Sequence, residues 1–498
     1  MKQKILLPAC CSLAITHIAN GASPSNQPQY EPERPNILFI CVDDLRTELG
    51  CYGSAVKTPN LDSLALEGSL FFNHYVQVPT SGASRASLLT GRLPRRYSDT
   101  SNEACRLRIS EKPQDSQPET FFHQLRMNGY HTVGIGKIGH SADGYLYEYT
   151  APKSDKKELP KSWDELLFDA GKWGTGWNAF FGYSNGNNRQ GMHRQVKPYE
   201  CANVNDEGLP DGLTAKLAIE KLEQLAHSTQ PFCLAVGFFK PHLPFTAPKR
   251  YWELYDEQSI PLSPMKDIPV NCDKSTLHES GEFNGYLLGE EKASLEHNVS
   301  DAYARKLRHA YFACISYVDA QIGKVLNALK KAGKADNTII IVWGDHGWHL
   351  GDLRVWGKHT LHEPALNSTL IIKAPGFKKG IRNERIVSSV DIYPTLMDLC
   401  QTNIPSQLLD GHSFVSLLND PQDKNWREFA YSYFNHGISL RTPQYRLTRY
   451  LKKGQTITEL YQYNKNKLEK ENIANKDSAT INRLLPDWFL GSKSDYKL

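Results

Sequence analysis

The sequence predicts an α/β fold built on a large, mostly parallel sheet, with a smaller antiparallel subdomain at its C-terminal end. Three observations carry that expectation. Four unbroken apolar runs, NILFICV (36–42), HTVGIGK (131–137), PFCLAVGFF (231–239) and TIIIVWG (338–344), are bounded by polar or Gly/Pro residues. Continuous rather than alternating hydrophobicity is what a parallel strand covered on both faces requires. Between the runs lie segments with apolar residues at helical spacing, and such alternation implies helices packed on a parallel sheet. From about residue 401 the pattern changes to short alternating stretches, the mark of half-exposed antiparallel strands.

Taken in order, residues 1–22 have two lysines, an apolar stretch broken by Pro8, and small residues near Gly21 and Ala22. That is the layout of a secretory signal cleaved near residue 22, with acylation at Cys10 or Cys11 as the alternative. It implies an exported, periplasmic protein without a permanent membrane span. A Pro/Ser/Gln-rich leader (23–35) follows. Helices are predicted at 60–71, 120–129, 212–226 and 304–333, and a last one near 478–490. The α/β domain is expected to run over 35–400 and the C-terminal subdomain over 401–498. Residues 140–211 and 250–300, rich in Gly, Asn, Asp, Pro and aromatics, read as long insertions that carry substrate-reading loops. Short strands are expected in EFAYSYFN (428–435), GISLRTPQYRLTRY (437–450) and TITELYQYN (456–464).

Composition is that of an ordinary globular chain, with 40% hydrophobic and 22% charged residues. The formal charge of +4 includes Lys2 and Lys4 of the leader, and so mild a balance argues against a nucleic-acid partner. Two of the ten cysteines lie in the signal region. The other eight show no CxxC spacing, which disfavours a structural zinc site. Cys41 and Cys233, inside apolar runs, are expected as buried thiols.

Chemistry collects at the predicted strand ends, the place where open α/β sheets bind ligands. The first run exits into Asp43-Asp44 and the last into Asp345-His346. The second delivers Lys137 and His140, the third Lys240 and His242, and Lys358 lies further on. One charged strand end is an everyday turn or helix cap. Two apolar strands that each end in a carboxylate pair are more specific: if they are neighbours, three carboxylates and an imidazole meet. Oxygen-rich ligation of that kind suits Ca²⁺ before Mg²⁺ and suits zinc less. The surrounding cations would neutralise a tetrahedral oxyanion, and a helix opening at Ser81 would add backbone N–H groups and a positive dipole end.

With those residues in place, the chain resembles the type I, formylglycine-dependent sulfatases over about residues 35–475. SGASRASLLTGR (81–92) matches that family's Cys/Ser-x-Pro/Ala-x-Arg signature and its Thr-Gly-Arg end. VDIYPTL (390–396) and ELYQYNKNKLEKENIA (459–474) match its later elements. The wording of VDDLRTELGCYG (42–53), GKIGH (136–140), FKPHLPF (239–245) and DHGWHLGD (345–352) is closest to the iduronate-2-sulfatase subgroup. The resemblance implies an alkaline-phosphatase-like sandwich, one Ca²⁺ held by Asp43, Asp44, Asp345, His346 and the residue-81 oxygen, and conversion of Ser81 to formylglycine. Serine in place of cysteine implies a bacterial enzyme matured by a radical maturase able to oxidise serine. Hydrated, the aldehyde would attack sulfur with one hydroxyl and expel sulfate with the other, whereas an unactivated serine is a weak nucleophile.

By the same resemblance, Arg85 holds the formylglycine, Lys137 and His140 sit beside it, and His140 is the base. Lys240, His242 and Lys358 face the sulfate. His242 is the expected general acid, since imidazole titrates near working pH, with Lys358 as its competitor. The substrate implied is a 2-O-sulfated uronate, unsaturated if left by a lyase, at the non-reducing end of a glycosaminoglycan. Its carboxylate calls for a cationic reader among Arg95, Arg96, Arg106, Arg108, Arg189, Arg194, His359 and His362. The alternatives are another sulfatase specificity such as hexosamine 6-O, a phosphodiesterase or phosphonate hydrolase of the same superfamily, and a non-catalytic glycan-binding descendant.

Overall fold

The computed structural model describes residues 34–111, 120–403, 409–452, 454–463 and 467–492. The signal and leader expectations for residues 1–33 lie outside them. Among the described residues no helix is long and apolar enough to cross a membrane.

An eight-stranded sheet forms the centre. Its strands are β1 (Asn36–Val42), β2 (Ser69–Tyr75), β3 (His131–Gly136), β4 (Glu165–Leu167), β5 (Phe232–Phe238), β6 (Thr338–Gly344), β7 (Leu370–Lys373) and β8 (Ile381–Ser388), in spatial order β8-β2-β7-β6-β1-β5-β3-β4. All neighbours are parallel except β7, which runs against both β2 and β6. β1 sits between β5 and β6, with Ile40 opposite Val236 and Val342.

The flanking helices are α1 (Pro59–Glu67), α2 (Ser81–Thr90), α3 (Phe121–Met127), α4 (Pro210–Leu225), α5 (Asp301–Lys331) and α6 (Ile392–Leu399). They explain why the runs are continuously apolar. Leu38, Ile40 and Val42 join a core with α1, α4 and α5, while Ile37, Phe39 and Cys41 join a second core with α2, α3 and α6. Alternate side chains point to opposite faces of a strand, and here both faces are covered. Cys41 and Cys233 are buried as expected, and all eight cysteines among the described residues are free thiols.

Beyond the sheet, β9 (Ala430–Phe434), β10 (Gly437–Arg441), β11 (Tyr445–Lys452) and β12 (Gln455–Gln462) form an antiparallel meander. The last helix, α7 (Ser478–Ser492), buries Leu484 and Trp488 against Ile438, Leu440 and Leu447 of that sheet.

The helix expected over 60–71 stops at Glu67 and β2 begins at Ser69. Leu70 and Phe71 continue the helical spacing of Leu61 and Leu64, but Gly68 breaks it. A Cβ there would lie 2.3 Å from the Ile372 carbonyl oxygen on β7, so the chain crosses the sheet backbone at that point. β2, β4, β7 and β8 went unforeseen; β4 has three residues inside the first insertion. β7 has four residues, and β8 (IRNERIVS) is an edge strand with a register shift between Asn383 and Ile386, so neither shows a clean period.

His74 on β2 yields an expectation for stability. It is buried, with Nδ1 3.2 Å from the Ser368 carbonyl and Nε2 2.9 Å from Ser389 Oγ, and burial lowers its pKa to about 4. An unfolded imidazole takes up a proton near pH 6.5 and the folded one only near about 4. The contribution is therefore complete above pH 6.5 and is lost as pH falls through that window, roughly 2–3 kcal/mol by pH 4.5. Denaturant titrations at pH 7 and 4.5 are expected to show at least that loss, and His74→Asn is expected to reduce it.

Candidate active site

The helix α2 delivers Ser81. Thr80 precedes it with extended backbone, and the helix ends at Gly91 in the left-handed region (φ 64°), where glycine is unstrained. Gly82 admits no side chain: a Cβ would lie 2.1 Å from the Asn102 carbonyl oxygen. Ser81 Oγ donates to Asp345 Oδ2 at 2.5 Å and accepts from Arg85 Nε at 3.0 Å and Lys137 Nζ at 3.1 Å. Arg85, one turn along and fully buried, also donates to the carbonyls of Lys137 (2.6 Å) and Ile138 (3.2 Å) and pairs with Asp345 at 3.0 Å. An arginine follows the serine because it ties the helix start to the ends of two strands.

Because β1 and β6 are neighbours, Asp43, Asp44, Asp345 and His346 do converge. Asp44 N–H donates to Asp345 Oδ1 at 2.9 Å, and Tyr311 Oη donates to the Asp44 carbonyl at 2.6 Å. Those two bonds hold Asp44 at φ 59°, a conformation that costs a non-glycine residue about 1 kcal/mol or more. One ligand atom from each of the four lies within 4.8 Å of the others, and all four residues are buried. Asp43 Oδ1 and His346 Nε2 are buried with no hydrogen-bond partner, as befits donors reserved for an ion. Burial and the Asp43 and Asp345 carboxylates raise Asp44 well above the usual carboxylate range, although Lys358 opposes them. Burial also disfavours the Asp43 anion, but Lys137, His242 and Arg85 hold it well below that range. The three aspartates balance Arg85, Lys137 and Lys358, so a divalent cation would give the centre the net positive charge that an anionic ester needs. The donor set fits such an ion.

The other strand ends divide. Lys137 pairs with Asp43 and reaches Ser81. His140 stands in the cavity wall, its backbone N–H held by Glu158 and its ring against Trp177; burial and Lys137 hold it well below the usual imidazole range. Lys358 lies 3.1 Å from Asp44 Oδ1 and 3.5 Å from Glu282 Oε2, and despite burial these carboxylates raise its pKa. His242 has two acceptors, the Leu243 carbonyl 2.7 Å from Nδ1 and Glu282 Oε1 3.1 Å from Nε2. Burial and Lys358 push its pKa down to about 4. The two acceptors pull the other way, since each needs an N–H, and we take the doubly protonated ring as the state that fits this geometry. Lys240 departs from expectation. Its Nζ donates to the carbonyls of His242 and Pro244, both at 2.6 Å, and it is absent from the cavity wall. It shapes the loop that aims His242 instead of facing sulfate.

A cavity of about 250 Å³ opens between these groups, walled by Ser81, Lys137, His140, His242 and Lys358 together with residues of both insertions. The first insertion supplies Tyr149, Trp177, Phe180, Phe181, Arg189 and Arg194, and the second supplies Glu282. Of the eight candidate carboxylate readers, Arg189, Arg194 and His359 line this cavity. Arg95 is paired with Asp410, Arg96 with Asp99, Arg106 with Glu103 and Glu111, and His362 with Glu469, while Arg108 donates to the Leu93 carbonyl. The sequence reading missed Glu282 and the aromatic wall, which sit in segments with no strand or helix period to place them.

Acidic and imidazole donors at the ends of neighbouring parallel strands, beside a hydroxyl at a helix start, define a metal-assisted ester hydrolase. Comparison with known proteins gives the family. Residues 35–402 match the family model described as Sulfatase, and residues 344–487 match that described as N-sulphoglucosamine sulphohydrolase, C-terminal. The chain is 31% identical over 398 residues to a sulfatase of Formosa agariphila, covering 78% of this chain and 73% of that one. It is 31% identical over 467 residues to iduronate 2-sulfatase of Mus musculus, covering 84% and 77%. Among solved structures, a phosphonate monoester hydrolase from Silicibacter pomeroyi superposes with a TM-score of 0.72 at 23% identity, covering 93% of this chain and 96% of that one, which speaks to the alkaline-phosphatase-like fold alone. The chain belongs to the sulfatase family and is a sulfuric ester hydrolase.

Proposed function

We propose that the protein removes the 2-O-sulfate from a uronate, unsaturated where a lyase has cut, at the non-reducing end of glycosaminoglycan oligosaccharides, and that it works in the periplasm. The observation that carries the specificity is a second cationic wall in the cavity that holds Ser81. Arg189 and Arg194 line it; no ion pair to a carboxylate is formed by either among the described residues, and Arg189 instead lies over Phe181 and donates to Gln190 Oε1. A sulfated uronate has two anions, and an arginine meets a carboxylate with paired, charge-assisted hydrogen bonds. The likeness to iduronate 2-sulfatase points the same way. A cavity of about 250 Å³ suits one terminal sugar, hence exo action.

In this reading a maturase acting on serine converts Ser81 to formylglycine, which supplies a hydrated aldehyde where serine has a single hydroxyl. Asp43, Asp44, Asp345 and His346 would hold Ca²⁺, which neutralises sulfate charge and polarises sulfur. Arg85 and Lys137 orient residue 81, His140 is the base beside it, and Lys358 meets the sulfate oxygens. His242, its ring fixed by the Leu243 carbonyl at Nδ1, would pass its Nε2 proton to the leaving oxygen when that oxygen replaces Glu282 as the acceptor at Nε2.

A panel of sulfated unsaturated disaccharides tests the specificity. Sulfate is expected from 2-O-sulfated uronates, and release only from 6-O-sulfated hexosamines refutes it. Assays on aryl sulfate and aryl phosphate run in parallel decide against phosphoester chemistry. Arg189→Ala is expected to raise KM for the uronate about 10–100-fold, the loss of one charge-assisted contact, and to leave aryl sulfate turnover nearly unchanged. His242→Gln is expected to lower kcat on the sugar ester by about 10²–10⁴-fold. On an aryl sulfate the loss should be far smaller, because a phenolate leaves without a proton. Equal losses on both would move the acid role to Lys358.

A further inference from the structure

A second group of metal-type donors lies outside the catalytic cavity. Cys272 comes from the second insertion, His362 from the segment that follows Lys358, and Glu459 from β12. One ligand atom of each lies within 4.8 Å of the others. Spacings of 90 and 97 residues conceal the group from any reading of cysteine motifs.

His362 is set up as a metal-binding imidazole is. Its Nδ1 lies 2.7 Å from Glu469 Oε2, while its Nε2, on a side chain 1% exposed, makes no hydrogen bond. A carboxylate on one ring nitrogen fixes the tautomer and frees the other to ligate. Glu469 is not a competing ligand, because its second oxygen takes Arg446 Nε at 2.9 Å and Tyr463 Oη at 2.5 Å. Glu459 Oε1 accepts from the Asp273 N–H at 3.1 Å and from Thr276 Oγ1 at 3.4 Å, and its Oε2 faces His362 Nε2 at 3.9 Å. Cys272 Sγ lies 3.8 Å from the Asp273 carbonyl and 3.8 Å from Thr276 Oγ1 and interacts with the side chains of His362, Glu459 and Tyr461.

The rival account is an imidazolium shared by two glutamates. Glu469 does favour the protonated ring, but it also carries Arg446. The 3.9 Å to Glu459 is too long for a hydrogen bond, so that account leaves the buried Nε2–H with only the weakly accepting Cys272 sulfur. A tetrahedral ion with ligands at about 2.0–2.3 Å sets its donors roughly 3.3–3.8 Å apart, which requires the cluster to contract by about 1 Å. Thiolate and imidazole select zinc-like ions, in contrast to the oxygen-rich catalytic centre.

We propose that Cys272, His362 and Glu459 form a structural site for a zinc-type divalent ion that fastens the second insertion and the Lys358–His362 segment to the C-terminal sheet. Lys358, His359 and Glu282 lie on the two segments so joined, so the ion braces one wall of the cavity from behind. Three protein donors leave a fourth position for water. The proposal is independent of the substrate assigned above.

Cobalt(II) titration of the full-length, chelator-stripped protein under reducing conditions tests it. The expected result is about two ions per chain with a thiolate-to-cobalt charge-transfer band in the near ultraviolet, a band that the sulfur-free aspartate centre does not give. Cys272→Ser is expected to abolish the band and His362→Gln to lose it too, each leaving about one ion per chain at the aspartate centre. No band in the wild-type protein, or a band that survives Cys272→Ser, overturns the proposal. Should the variants fail to fold, anomalous scattering at the zinc edge from zinc-soaked wild-type crystals decides: a peak among the three side chains supports the site, and its absence refutes it.

Discussion

Ser81→Ala is expected to lower turnover by roughly 10⁴-fold or more, the scale seen when a nucleophile is deleted, and to leave the protein folded. The Oγ lost is the atom on which Asp345, Arg85 and Lys137 all converge. The fold survives because those three retain other partners: Arg85 still pairs with Asp345 and with two carbonyls, and Lys137 with Asp43. Thermal unfolding should therefore shift by only a few degrees, as for a modest loss in a large chain. Mass spectrometry of the peptide ending at Arg85 supplies the companion measurement. In active wild-type protein that peptide should be lighter by two hydrogens. Activity retained in Ser81→Ala would remove the formylglycine reading altogether.

Asp345→Ala is expected to abolish activity and also to destabilise. Asp345 accepts from the Asp44 backbone through Oδ1 and from Ser81 and Arg85 through Oδ2. Removing it leaves the guanidinium of Arg85, 0% exposed, with only Asp43 at 3.8 Å as counter-charge. A buried charge deprived of its partner costs about 3–5 kcal/mol, to be read from denaturant unfolding. It also removes one of the bonds that hold Asp44 in its left-handed conformation. Asp345→Asn keeps the shape and an acceptor for Asp44 while discarding the charge. It is expected to lose activity about as fully, for want of metal affinity, at a smaller cost in stability. If Asp345→Asn retained near-normal turnover, the aspartate cluster would not be the reaction centre.

The same two residues mark what sequence can and cannot reveal. Asp345 was visible because it ends an apolar run whose bounds, Thr338–Gly344, are those of the observed strand. Ser81 was visible because its neighbours spell a compact signature. Lys240 was equally visible and was misplaced, since a Lys-Pro-His spelling does not show that the ammonium turns back onto the carbonyls of its own loop. Glu282 was invisible: a glutamate in an aperiodic insertion looks like surface charge until Lys358 and His242 are found beside it. Lone Cys272 was equally uninformative while its partners stood 90 and more residues away.

The sequence by itself determined the alternation of buried strands and helices, the short strands of the C-terminal sheet and the identity of the residues at the strand ends, because burial on two faces and local signatures are written in neighbouring letters. Only the tertiary structure decided that β1 and β6 lie side by side, which arginines face the cavity and which are already paired, and that Cys272, His362 and Glu459 meet. Strand order and side-chain direction arise from contacts between segments hundreds of residues apart, and such contacts leave no period in the chain.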